Sequence, residues 1–143
     1  MKIKKLFEDA VIPFTATVGS AGHDLSAYLF TNFIEIPPHD HVKVGSGISV
    51  EIPSGYFGML CPRSGLGKCG ISLANTIGII DSDFRGEISV LLKNNNDNHF
   101  RLEKGTRMAQ LIIVPYISSE IEVVDDLEET VRGSGGFGST GVK

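Results

Sequence analysis

Val42-Lys-Val-Gly-Ser-Gly-Ile-Ser-Val-Glu-Ile52 places its apolar side chains at alternate positions on both sides of a Gly-Ser-Gly interruption. Val42 and Val44 make one half of the pattern. Ile48, Val50 and Ile52, with Ser49 and Glu51 between them, make the other. A period of two is the signature of a strand with one buried face. The rest of the chain agrees: 15 Ile, 11 Val and 7 Thr stand against 6 Ala, and 17 Gly and 6 Pro are spread along most of its length. Turn signals fall at Gly19 to Gly22, Pro37 to Asp40, Gly45 to Gly47, Pro53 to Gly55, Asn94 to Asn98 and Lys104 to Thr106. Short strands broken about every ten residues predict an all-β fold, a jelly-roll-like barrel or sandwich. One short helix is expected after Pro62, with Ser64 as its cap and Gly65 to Lys68 as its first turn.

With 143 residues the chain can bury one core, so a single β domain over 1–125 is expected, followed by an arm over 126–143. The formal net charge of −4 argues against a surface selected for duplex nucleic acid or acidic lipid. The longest uncharged apolar-rich stretch, Ala109 to Ser119, is far too short for a membrane-spanning helix. Lys2, Lys4 and Lys5 resemble the start of a signal peptide, but Glu8 and Asp9 arrive before any apolar run. A cytoplasmic or nuclear protein is expected. Cys61 and Cys69 are spaced unlike zinc ligands and read as buried or idle thiols. His23, His39, His41 and His99 show no metal-ligand spacing.

The arm runs from an acidic segment to Arg132-Gly-Ser-Gly-Gly-Phe-Gly-Ser-Thr-Gly141. Its composition cannot offset about 1–2 kcal/mol of backbone entropy per ordered residue, so by itself it reads as a flexible tail. One arginine, one ring and adjacent hydroxyls also suit a ligand carrying both a ring and phosphates. Four further segments are richer in small and polar residues than turns require. They are Ala21-Gly-His-Asp-Leu-Ser-Ala27, Pro62-Arg-Ser-Gly-Leu-Gly67, Asn75-Thr-Ile-Gly-Ile-Ile-Asp-Ser-Asp-Phe-Arg-Gly86 and Gly105-Thr-Arg-Met-Ala-Gln110. Unaided, Arg63, Ser64 and Gly65 read either as a phosphate-binding turn or as an ordinary capped turn. Asp81 reads either as a reactive carboxylate or as the cap of its own turn. The third segment reads as a β-hairpin with a polar tip at Asp81 to Gly86.

Taken in order, the five segments resemble the five motifs of the trimeric dUTPase family, over Ala21 to Gly141. The resemblance implies hydrolysis of dUTP to dUMP and pyrophosphate, limiting uracil entry into DNA and supplying dUMP for dTMP synthesis. It implies Asp81 as the general base for water attacking the α-phosphorus, with the same residue meeting the sugar hydroxyl. Asn75, Gly78, Ile79 and Ile80 would read uracil, mainly through backbone, and Phe84, where the family usually has Tyr, would lie against deoxyribose. Arg63, Ser64, Gly65 and Gln110 would hold phosphates. Arg132 would reach the terminal phosphate, Phe137 would stack on the base, and Gly138, Ser139 and Thr140 would wrap the phosphates as a lid. The implied cofactor is Mg2+, anchored by Asp24 through water. Arg107 is left between an ion pair and a substrate contact, and Thr106 stands where the family often has Asp. A homotrimer is implied, in which one chain gives the first, second and fourth motifs to a site, another gives the third and the last gives the arm. No nucleic-acid or membrane partner is expected. Two other readings share the fold. A dCTP deaminase would need a glutamate at the position of Leu91, and a non-catalytic nucleotide-binding module has no reason to keep Asp81, Arg63 and the arm together.

Overall fold

A computed structural model describes residues 1–136 and Ser139. In chain order its elements are β1 (Lys2–Lys5), β2 (His23–Ser26), β3 (Phe33–Ile36), β4 (His41–Glu51), β5 (Tyr56–Pro62), α1 (Ser64–Lys68), β6 (Ile71–Leu73), β7 (Gly78–Ile80), β8 (Glu87–Asn94), β9 (Phe100–Glu103) and β10 (Arg107–Pro115). Two four-stranded sheets, ordered β1-β4-β8-β6 and β2-β10-β5-β7, are joined by the ribbon β3-β9, and every pairing is antiparallel. This is the all-β architecture that the alternation predicts.

One core serves all three sheets. Ile88, Val90 and Leu92 of β8 and Val44, Ile48 and Val50 of β4 meet Leu25, Leu60, Ala109 and Leu111 of the other large sheet, with Ile36 and Leu102 of the ribbon. Burying a side chain of this size stabilises the fold by about 1.5–3 kcal/mol. The same alternation puts Asn94 in the core, where its amide donates to the carbonyls of Ile36, Pro37 and Asn98 at 3.0, 3.2 and 2.8 Å. Those bonds close the Asn94–Asn98 turn from inside.

Three local expectations are corrected. Gly45 to Gly47 is not a turn: it lies within β4, as a bulge where the register against β8 shifts between Gly45 and Ser49. Gly47 takes φ +70° there, and its N–H donates to Glu87 Oε1 at 2.8 Å. The helix begins one residue earlier than expected. Arg63 is its N-cap, with extended backbone, and Ser64 is its first residue, so the Ser64 hydroxyl is not the cap. The expected hairpin at Asp81 to Gly86 is instead a crossing between sheets, since β7 pairs with β5 whereas β8 pairs with β4 and β6. After Pro115 no strand follows among the described residues, and Ile117, Ile121, Val123, Leu127 and Val131 are all highly exposed. No helix of the described residues is long and apolar enough to cross a membrane.

Candidate active site

Strands β2, β10 and β5 set Asp24, Gln110 and Cys61 side by side as Cα partners. Their strand neighbours Leu25, Ala109, Leu111 and Leu60 point into the core, so these three face the other way. On that face Asp24 is 2% exposed and is gripped by two guanidiniums. Arg63 Nε donates to Oδ1 at 2.7 Å and Arg63 Nη2 to Oδ2 at 3.2 Å. Arg107 Nη1 donates to Oδ2 at 3.0 Å. Arg63 is placed by the end of β5, where the chain turns into α1, and Arg107 by the bulge that opens β10. Gly22 keeps the space for Gln110: a Cβ there would lie 3.0 Å from Gln110 Cβ. Ser64 and Gly65 are exposed at the start of α1, beside Arg63. The Thr106 backbone closes the turn into β10, its N–H bonded to the Glu103 carbonyl at 3.1 Å.

Asp24, expected to anchor magnesium through water, is a buried carboxylate whose two oxygens accept from arginines. Among the described residues no group of three or more His, Cys, Asp or Glu is arranged to hold a metal ion. The water-mediated anchor expected of Asp24 needs no such group, because a hydrated Mg2+ takes its remaining oxygens from phosphate.

The third segment forms the other end of the same sheet. Ile79 is 54% exposed on β7, and Asp81 follows β7 into an open cleft of about 560 Å³ lined by Phe57, Ile79, Asp81, Ser82, Asp83 and Tyr116. The turn after Asp81 is closed by backbone, with Phe84 N–H donating to the Asp81 carbonyl at 3.2 Å. The carboxylate itself makes no hydrogen bond among the described residues, so it does not cap its own turn. Arg85 Nη1 fixes the loop by donating to the carbonyls of Ser82 and Phe84 at 2.7 and 3.0 Å. The Phe84 ring is half-exposed and lies over Gly86, where a Cβ would stand 2.5 Å from Phe84 Cζ.

Upstream, Asn75 and Gly78 are held by a strained turn. Thr76 has φ +64°, a region that costs a β-branched residue about 1–3 kcal/mol. Ile77 N–H donates to the Asn75 carbonyl at 2.6 Å, and the Asn75 amide nitrogen lies 3.5 Å from where a Gly78 Cβ would be. Sequence reasoning passed over Thr76, Phe57 and Tyr116, and treated Gly22 and Gly86 only as members of their segments. No local pattern singles these residues out: two β-branched residues, Thr76 and Ile77, stand between Asn75 and Gly78, and only the turn shows which of them is left-handed.

The two halves do not meet within one chain. Ile80 faces Gly58 in the ladder, which sets Asp81 near Phe57, whereas Arg63 lies just beyond the far end of β5. At the rise of an extended strand, Phe57 and Arg63 are roughly 20 Å apart. In the arm, Arg132 Nε donates to the Gly135 carbonyl at 2.9 Å and Ser139 is exposed; Phe137, Gly138 and Thr140 lie outside the described residues.

A family model for dUTPase matches residues 8–141. The deoxyuridine 5'-triphosphate nucleotidohydrolase of Hydrogenobaculum sp. (strain Y04AAS1) is 46% identical over 142 residues, which are 99% of this chain and 97% of that protein. Its counterpart from Acinetobacter baumannii (strain AYE) is 48% identical over 139 residues, 96% of this chain and 92% of that protein. Among solved structures, a tyrosine-to-phenylalanine variant of Staphylococcus bacteriophage 80alpha dUTPase with dUpNHpp superposes with a TM-score of 0.88 at 29% identity, covering 99% of this chain and 98% of that one.

Proposed function

The chain belongs to the dUTPase family and is a dUTP diphosphatase, and from that premise we propose how its residues divide the work. Asp81 is the general base. It takes a proton from a water that attacks the α-phosphorus in line. The bond from that phosphorus to the bridging oxygen breaks, and its electron pair leaves with pyrophosphate, giving dUMP. The observation that carries this reading is the uncommitted carboxylate of Asp81 in an open cleft beside Ile79. A base must offer a free lone pair within hydrogen-bond reach of the proton it removes.

Backbone groups at Gly78, Ile79 and Ile80, with the Asn75 amide, read the uracil edge. A base with mismatched donors would leave these groups unpaired, which costs more than a lost apolar contact. Phe84 lies against deoxyribose. Arg63, Ser64, Gly65 and Gln110 hold phosphates. Magnesium enters as the counter-ion of the triphosphate, part of the substrate, which agrees with an ion that keeps most of its hydration and favours phosphate oxygens. The arm over 126–143 closes over the bound nucleotide through Arg132, Phe137, Gly138, Ser139 and Thr140.

Each site is shared between copies of the chain in a homotrimer. The separation of roughly 20 Å along β5 between Phe57, beside Asp81, and Arg63 supports this, because Asp81 and Arg63 must both reach one triphosphate. So does the exposed alternation of Ile121 and Val123 with Glu120 and Glu122, a strand pattern that lacks a ladder among the described residues. Free thiols at Cys61 and Cys69 suit a reducing compartment, cytoplasm or nucleus.

The test is to incubate the protein with magnesium and each of dUTP, dTTP, dCTP and UTP, measuring pyrophosphate and ammonia. Pyrophosphate from dUTP alone is expected. Ammonia from dCTP would transfer the protein to the deaminases, and equal pyrophosphate from dTTP would remove the uracil pocket.

A further inference from the structure

We propose that Asp24 is a positioning residue that presents Arg63 and Arg107 as a two-guanidinium clamp for the substrate's phosphates, which makes Arg107 a substrate-contact residue. This deepens the dUTP-hydrolysis reading and rests on it. The argument begins with the donors that the carboxylate leaves over. Arg63 spends Nε and Nη2 on Asp24, so among the described residues Nη1 is uncommitted. Arg107 spends Nη1, so among the described residues Nε and Nη2 are uncommitted. Arg63 is therefore fixed in plane by two bonds, Arg107 is tethered at one nitrogen, and both are open on the other side.

The solvent gradient points the same way. Side-chain exposure rises from 3% at Asp24 to 21% at Arg63 and 45% at Arg107. The anion is sealed beneath and the cations face outward. One carboxylate against two guanidiniums leaves a net positive charge, which suits a polyanion. Gln110 stands on the same sheet face as the Cα partner of Asp24, with Gly22 clearing room for it. A carboxylate buried for stability alone gains little, since replacing a buried ion cluster with apolar residues is often neutral or stabilising. A carboxylate that orients cations removes the cost of arranging them when the phosphate arrives.

The sign of one substitution separates this role from its rivals. Asp24→Asn removes a negative charge beside a polyanion, so if Asp24 were a bystander the nucleotide would bind more tightly. If Asp24 positions the clamp, binding weakens although repulsion has fallen. The measurement is the affinity of dUpNHpp in magnesium-free buffer with chelator, alongside deoxyuridine, which carries no phosphate. The expected result for Asp24→Asn is a loss of about tenfold to a hundredfold for dUpNHpp, the size of a charge-assisted hydrogen bond or two, with deoxyuridine unchanged. Equal or tighter dUpNHpp binding overturns the proposal, and so does a loss that appears only when magnesium is present.

Arg107→Gln, at a half-exposed side chain, keeps the question open if Asp24→Asn does not fold. It should weaken dUpNHpp about tenfold and spare deoxyuridine, with Arg107→Lys recovering part of the loss. Unchanged dUpNHpp affinity in Arg107→Gln overturns the clamp. A wild-type chain that releases no pyrophosphate from dUTP would instead sink the underlying reading, and a clamp for this nucleotide with it.

Discussion

The two ends of β5 handle charge in opposite ways. Beyond Pro62, the Asp24 carboxylate is buried and every oxygen is committed, so two guanidiniums are held before any ligand arrives. Near Tyr56, Asp81 stands in an open cleft and its carboxylate is committed to nothing among the described residues. A surface that stabilises developing charge works best when it does not reorganise, whereas a group that must accept a proton has to keep its lone pair free. The difference teaches that a single strand can supply both kinds of environment because they sit at opposite ends. For the same reason they lie far apart within one chain, which the proposed sharing of each site between copies would overcome.

Breaking either end should therefore fail in a different way, and mixing the failures should repair them. Asp81→Ala is expected to lower turnover by about a hundredfold to ten-thousandfold while dUpNHpp still binds within a few-fold of wild type. Arg63→Ala is expected to lose affinity for dUpNHpp. When the two inactive variants are co-assembled in equal amounts, roughly one site in four receives an intact Asp81 from one chain and an intact Arg63 from another. About a quarter of wild-type turnover should return. If the mixture stays inactive while mass measurement shows mixed oligomers, both ends serve the same chain and the comparison is wrong.

How much of this was legible beforehand differs between fold and site. The period-two runs in β4 and β8 identify strands because each side chain reports its own face, and turns such as Pro53 to Gly55 report local backbone preference. Gly45 to Gly47 misleads because a glycine-rich break reads alike whether the chain reverses or bulges. What decides is Glu87, distant in sequence, whose carboxylate fills the space over Gly45 and accepts from Gly47. The supposed hairpin fails similarly, since pairing of β7 with β5 is a choice between sheets that no local pattern records.

In the site, the residue types at Asp81, Arg63 and Gln110 could be singled out from the segments that hold them. The grip of Arg63 and Arg107 on Asp24 could not, because it joins β2, the cap of α1 and β10, which are far apart in the chain. The left-handed φ of Thr76 is equally invisible, a strain imposed by the turn rather than chosen by the residue.

A smaller effect sharpens the picture of the Asp81 end. Its loop presents Phe84 through a close approach to Gly86 that any Cβ would obstruct, with 2.5 Å to the ring tip. Gly86→Ala should displace the ring without touching Asp81. The expected outcome is a fall of about tenfold in the preference for dUTP over UTP, read as the ratio of kcat/KM values, with turnover of dUTP changed less. A preserved ratio would mean that the ring does not police the sugar.

The smallest effect uses an ion pair that lacks what Asp24 has. Asp9 Oδ2 accepts from Lys104 Nζ at 2.7 Å and Asp9 Oδ1 from Tyr28 hydroxyl at 2.9 Å, pinning the N-terminal segment to the turn before β10 at the surface. The Lys104 ammonium, and secondarily the Tyr28 hydroxyl, hold the Asp9 carboxyl below its ordinary value, and Asp9 in turn raises Lys104. A lowered carboxyl stabilises the fold above its unfolded value and stops doing so as the pH falls through its folded value. A raised ammonium stabilises below its unfolded value and stops doing so as the pH rises through its folded one. Asp9→Asn should thus lower Tm by only about 1–3 °C at pH 7, because water and salt screen such a pair. The gap between variant and wild type should close as the pH falls below the ordinary carboxylate range and again as it rises above the ordinary ammonium range, where one partner is neutral in both proteins. In thermal melts across that range, a gap that stays constant would show that the segment is held by the stacking of Phe7 on Tyr28, 4.4 Å between ring centres, and not by charge.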